Sequence, residues 1–167
     1  MSVSDHRQQA PASVSVHVIT VSDTRTLDTD ASGRAIVELL EGAGHRVSGR
    51  TLLRDEAEDV RATVQHLASE ALVDVVITTG GTGITARDGT FEAVDELLTK
   101  RLPGFGELFR SLSYQQIGAA AMLSRACAGT IRKTIVFTLP GSEKAVRLAM
   151  EKLILPEIGH VVRELKR

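Results

Sequence analysis

Two hydrophobic periods alternate along this chain, one of about two residues and one of about four, and their alternation predicts its elements. Residues 14–21 are apolar and β-branched, which reads as a strand. Over residues 32–43 the spacing becomes helical, with Ala35, Ile36, Leu39, Leu40 and Ala43 on one face and Gly44 suited to the position just past the end. A second strand is expected at 46–53. A helix at 56–71 follows, with Val60, Val64, Leu67 and Ala71 facing inward. Residues 75–79 form a short uninterrupted run, the pattern of a strand buried on both faces of a parallel sheet. Helical spacing returns at Phe91, Val94, Leu97 and Leu98, with Thr90 placed to cap the first turn and Pro103 beyond the end. The alanine-rich segment 113–128 predicts a helix carrying Ser124 and Arg125 in its last turns. Residues 133–139 predict a strand, and Ala145, Leu148, Ala149 and Leu153 mark the helix after it. Pro156 should break that helix, leaving a last one at 157–166 with a basic end.

Strands alternating with amphipathic helices imply an α/β fold, a three-layer α/β/α sandwich with a mostly parallel central sheet. Residues 14–167 should form one domain. Residues 1–13 are polar and read as a disordered tail in which His6 is solvated. With 43% hydrophobic but only 3% aromatic residues, the core must be built from Val, Leu, Ile and Ala. The segment 103–110 brings Phe105, Leu108 and Phe109 together, which suggests a core element or a subunit contact.

Charge and cysteine use narrow the function. Twenty Lys and Arg against 21 Asp and Glu leave a formal charge of −1, so no global attraction to nucleic acid or to an anionic membrane is expected. The single cysteine, Cys127, cannot form an internal disulfide and reads as a small buried residue. No run is long and apolar enough to span a bilayer, and no signal-peptide core is present. A cytoplasmic protein is expected. His17, His45 and His66 lack metal-ligand spacing.

The candidate chemistry gathers after the strand at 75–79. There the chain enters Gly80-Gly81-Thr82-Gly83, whose backbone can take positive φ and offer N–H groups to an anion. The spacing is neither a Walker P-loop nor the dinucleotide fingerprint. Thr79, Thr82 and Thr85 add hydroxyls and Arg87 a fork that matches phosphate. Asp88 is either a Mg²⁺ ligand or the start of the next helix. Ser22 and Asp23 stand at the end of the first strand, as a ligand contact or as a polar loop opening a helix. Asp55 and Glu58 fit a capping box, which does not exclude a second role for Asp55. Pro140-Gly141-Ser142 forms a second turn. In a parallel sheet these four strand ends share one edge, which suggests phosphate-containing ligands held with Mg²⁺.

The block Thr78-Thr79-Gly80-Gly81-Thr82-Gly83, with Thr85, Arg87 and Asp88, resembles the signature of the MogA/MoaB family of molybdenum cofactor biosynthesis proteins. The resemblance continues through Pro103-Gly104-Phe105-Gly106-Glu107-Leu108-Phe109-Arg110, Leu112-Ser113-Tyr114, Ala121-Met122-Leu123-Ser124-Arg125-Ala126, Leu139-Pro140-Gly141-Ser142 and Lys152-Leu153-Ile154-Leu155-Pro156-Glu157. It covers nearly everything from Val16 onward, closer to the MoaB branch. It implies ATP-dependent adenylylation of molybdopterin in a homotrimer or homohexamer, with hand-over to a metal-insertion protein. It assigns Asp55 and Asp88 to Mg²⁺ and phosphate alignment, and the turn Gly80, Gly81, Thr82 and Gly83 to phosphate. Ser22, Asp23, Pro140, Gly141 and Ser142 would complete the cleft, with Ser124 and Arg125 on the pterin side. One departure is Gly89, where the family commonly has Val. A binding protein that holds molybdopterin without efficient transfer is the alternative, and a scaffold role is a third class, weakened by the absence of an attached domain.

Overall fold

The computed structural model describes residues 2–3 and 8–167; His6 lies outside the described residues. Its six-stranded sheet runs β2–β1–β3–β6–β5–β4. The first four in that order are parallel: β1 (Ser15–Val21), β2 (Arg46–Leu53), β3 (Val75–Thr79) and β6 (Thr134–Leu139). At the other edge β4 (Lys100–Arg101) and β5 (Cys127–Ile131) run antiparallel. The helices are α1 (Ala31–Gly42), α2 (Ala57–Ser69), α3 (Thr90–Asp95), α4 (Pro103–Ile117), α5 (Glu143–Ala149) and α6 (Leu155–Lys166). Alternate strand residues divide the core into two layers. Val16, Val18, Val75, Ile77, Ile135 and Phe137 pack against α1, α4, α5 and α6, and Ile19, Val21, Val76 and Val136 against α2 and α3. The α/β sandwich and the mostly parallel sheet are as the pattern implies.

Register sets the site. Val21 pairs with Leu53, Thr20 with Thr79, and Thr79 with Leu139, so four parallel strands end level with one another. Their following turns must then meet.

Several boundaries differ from the pattern. The predicted helix over 113–128 stops at Ile117, because Gly118 takes φ +62. A 3₁₀ turn follows at Gly118–Leu123, and Cys127–Ile131 becomes strand β5. There the pairing with β6 overrides alanine's helical preference. The β5–β6 hairpin turns at Arg132 and Lys133, with Arg132 at φ +53, a turn that carries no Asn-Gly signal. Helix α3 has only six residues, and Thr90 is its first residue, not its cap. Pro156 does not break the last helix. A π-helical turn at Met150–Ile154 joins α5 to α6, and Leu155 donates its N–H to the Met150 carbonyl, which accommodates the missing proline donor.

Phe109 is buried, and Phe105 packs edge-on against Phe137 at 5.1 Å, while Leu108 faces outward. Cys127 is partly buried, and desolvation pushes its thiol up to about 11. Residues 9–11 lie along α6: Gln9 accepts from Arg163, and Pro11 meets Gly159.

Candidate active site

Gly80 is fixed first. Its φ is +96, and a Cβ there would stand 2.1 Å from the Val21 carbonyl, so only glycine lets β3 leave the sheet beside β1. Gly81 follows at φ +67, where a Cβ would meet Thr90 Oγ1 at 2.1 Å and Asp55 Oδ2 at 2.9 Å. The carbonyls of this turn are tied back. Thr90 N–H donates to Gly81 O at 3.0 Å, Arg125 Nε to Thr82 O at 2.9 Å, and Arg125 Nη2 to Gly83 O. The Gly81 and Thr82 N–H groups donate to no atom among the described residues. Their hydrogen-bonding capacity is unused, as an anion-binding turn requires.

Asp55 lies at the end of β2, beside that turn. It does not cap α2: Glu56 occupies the cap position without a side-chain bond, and Asp55 Oδ1 instead accepts from Gly89 N–H at 3.3 Å. The capping box read from Asp55 and Glu58 is therefore absent. Burial raises the Asp55 carboxyl above the usual carboxylate range. The Gly89 N–H opposes this, and the charges of Asp88 and Asp23 add to it.

Asp88 closes the loop after the glycine turn. Its carboxylate accepts from Thr85 Oγ1 at 2.6 Å and Thr85 N–H at 3.0 Å, and these bonds hold its carboxyl below the usual range despite some burial. It does not cap α3, since Gly89 occupies that position. Asp88 Oδ2 stands 2.6 Å from where a Cβ of Gly83 would be, so Gly83 leaves room for the carboxylate.

Asp23, at the end of β1, ties two neighbours together. Oδ1 accepts from Asp55 N–H at 3.1 Å, and both oxygens accept from Arg87, at 2.8 and 3.0 Å. Those Arg87 bonds, with the Asp55 N–H, hold its carboxyl at about 2. Arg87 also donates to Glu56 at 2.6 Å, so its fork is engaged by two carboxylates. Ser22 Oγ accepts from Thr24 and Arg25 N–H groups, shaping the same loop.

The fourth strand end completes the rim. Gly141 lies against Gly80, where a Cβ would come within 3.4 Å of the Gly80 Cα, and Thr79 Oγ1 donates to Pro140 O at 2.8 Å. Beside these turns opens a cavity of about 380 Å³, bounded by Thr82, Gly83, Ser124, Pro140, Gly141 and Ser142, with Phe109, Ile117 and Leu123 forming an apolar wall. Ser124 Oγ and Thr90 Oγ1 are buried hydroxyls without a hydrogen-bond partner among the described residues. Arg125 pairs with Glu92 and lies 5.1 Å over the Phe91 ring, so it acts as a strut behind the glycine turn.

The structure thus gathers every singled-out strand end at one edge. Sequence reasoning missed Asp30 and Thr90 as parts of this region. Asp30 is fully buried. It caps α1 through Gly33 N–H and accepts from Thr20 Oγ1 at 2.6 Å and Arg50 at 2.8 Å. An aspartate directly before a helical run was the available signal. Nothing local signals that Thr90 folds back over Gly81.

Comparison with known proteins identifies the family. A family model described as "Probable molybdopterin binding domain" matches residues 17–160. A molybdenum cofactor biosynthesis protein B from Bacillus cereus is 54% identical over 168 residues, covering 100% of this chain and 99% of the relative. A crystal structure of a molybdenum cofactor biosynthesis protein B superposes with a TM-score of 0.91 at 54% identity, over 95% of this chain and 99% of that one. The tungsten cofactor synthesizing protein MoaB from Pyrococcus furiosus gives a TM-score of 0.84 at 38% identity, over 95% and 100% respectively. With a matching domain over most of its length and half its residues shared with full-length relatives, the chain belongs to the MogA/MoaB family of molybdenum cofactor biosynthesis proteins.

Proposed function

We propose that this protein catalyses adenylyl transfer from ATP to the phosphate of molybdopterin, with release of pyrophosphate. One observation carries the reading: Asp55 Oδ2 borders the open glycine turn, at an edge where a second glycine turn and an adjoining cavity could seat a second phosphate-bearing molecule. A phosphate oxygen of molybdopterin forms the new bond to the α-phosphorus of ATP, and the bond from that phosphorus to the β-phosphate bridging oxygen breaks. No side-chain nucleophile is needed. The protein's part is alignment and charge stabilisation, supplied by the Gly81 and Thr82 N–H groups.

The donor set suits Mg²⁺. Among the described residues no three His, Cys, Asp or Glu side chains are grouped to hold a metal by themselves. Magnesium is usually held by one or two carboxylates, with water and substrate phosphates completing its shell. Asp55, desolvated and crowded by other carboxylates, is where a cation would relieve the most repulsion, with Asp88 as its neighbour. Bound there, Mg²⁺ would neutralise phosphate charge.

The test is incubation of the purified protein with Mg²⁺, ATP and molybdopterin. Pyrophosphate and adenylylated pterin are expected in equal amounts. Tight pterin binding without either product would leave the binding-protein reading instead.

A further inference from the structure

The turn at Pro140-Gly141-Ser142 shows its backbone in one orientation. Both of its first two carbonyls are tied down. Pro140 O accepts from Thr79 Oγ1 at 2.8 Å, and Gly141 O accepts from Ser32 Oγ at 2.6 Å and Arg25 Nη1 at 3.0 Å. No peptide bond among the described residues is cis. In a trans peptide a carbonyl and the next residue's N–H point in opposite directions. The Gly141 and Ser142 N–H groups are therefore turned away from Thr79, Ser32 and Arg25, and neither donates to any atom among the described residues. Gly141 and Ser142 border the 380 Å³ cavity, together with Thr82 and Gly83 of the opposite glycine turn.

The clamp has its own foundation. Arg25 Nη1 also donates to Ser32 Oγ at 3.2 Å and lies 3.9 Å from Asp30 Oδ1. Asp30 is itself fixed by Thr20, Arg50 and the Gly33 N–H. A buried carboxylate thus stands behind the arginine that, together with Ser32, sets one peptide plane at the cleft.

We propose that Arg25 and Ser32 are positioning residues: by holding the Gly141 carbonyl they present the Ser142 N–H to a substrate phosphate. The inference rests on the adenylyl-transfer reading for its ligand class, a phosphomonoester or polyphosphate, which either ATP or molybdopterin supplies. Neither side chain touches the ligand. Their effect passes through the peptide they orient.

The experiment follows the ¹⁵N resonance of the Ser142 amide while Mg²⁺–ATP, and separately molybdopterin, is titrated into the wild type and into Arg25→Met, Arg25→Lys and the double variant Arg25→Met/Ser32→Ala. The amide should shift with one of the two ligands, which identifies the phosphate it meets. Affinity for that ligand should fall about tenfold in the double variant, the size of one hydrogen bond's net contribution. KM for it should rise more than kcat falls. Arg25→Lys keeps a donor and should recover most of the affinity lost in Arg25→Met. A Ser142 amide that neither ligand moves, or variants that bind both ligands as tightly as wild type, would overturn the inference. Failure of the parent reading looks different: the amide responds to ligand, yet no pyrophosphate forms.

Discussion

Asp55 shows how much a single side chain's environment matters here. From spacing it is a helix cap; in the structure it caps nothing and faces the glycine turn. The local pattern Asp-x-x-Glu is real, but register placed Leu53 level with Val21 and so drew the Asp55 backbone N–H to the Asp23 carboxylate, leaving the Asp55 side chain to the glycine turn, which no local rule encodes. Because its folded-state pKa is raised, ionised Asp55 costs stability. That cost is absent below the unfolded value and complete once pH exceeds the raised folded value. Asp55→Asn should therefore raise the thermal midpoint of the ligand-free protein at neutral pH, and the gain should vanish in acid, as differential scanning calorimetry across pH would record. The same variant should lose on the order of a hundredfold or more in kcat. A variant no more stable than wild type at neutral pH would mean that the site does not strain this carboxylate. Asp88→Asn should likewise cost turnover far more than pterin binding, measured by comparing kcat with the pterin dissociation constant.

At the scale of elements, the strand–turn–helix at 75–95 was the most legible part, because a fully buried β3 and a run of glycines leave few alternatives. Its detail was not legible. Thr90 Oγ1 occupies the space a side chain at 81 would need, and that contact depends on where α3 docks. Gly81→Ala combines strained φ with a clash against buried groups, and should destabilise by on the order of 2 kcal/mol or more, read from denaturant midpoints. The β5–β6 hairpin was invisible for a different reason. Cys127-Ala128-Gly129 has neither β-branched residues nor alternation, and Gly129 is small because a Cβ would come within 2.5 Å of the Lys100 carbonyl on β4. Tertiary packing chose the strand. The continuous helix through Pro156 has the same lesson, since a π turn is not written in the residue types around it.

For the whole molecule, the sandwich and its shared rim followed from the order of elements alone, whereas the cavity wall did not, because Phe109, Ile117 and Leu123 come from segments far from the strand ends. Phe109 joins α4 to the sheet, so Phe109→Ala should cost about 3–5 kcal/mol of unfolding free energy. No helix among the described residues is long and apolar enough to cross a membrane. Yet Leu108, Ile117, Met122 and Leu123 are more than half exposed on the α4 and 3₁₀ segments. A contact between copies there is what the trimer or hexamer implied by the family resemblance would need, and if such an assembly uses this face, sedimentation of Met122→Asp should show a smaller species than the wild type. The chemistry at the rim decides what this protein does. Its most direct test is pyrophosphate release by the wild type with Mg²⁺ and ATP, with and without molybdopterin. Release that requires the pterin and matches the adenylylated product mole for mole is the predicted result; saturable pterin binding with no pyrophosphate above background would contradict it.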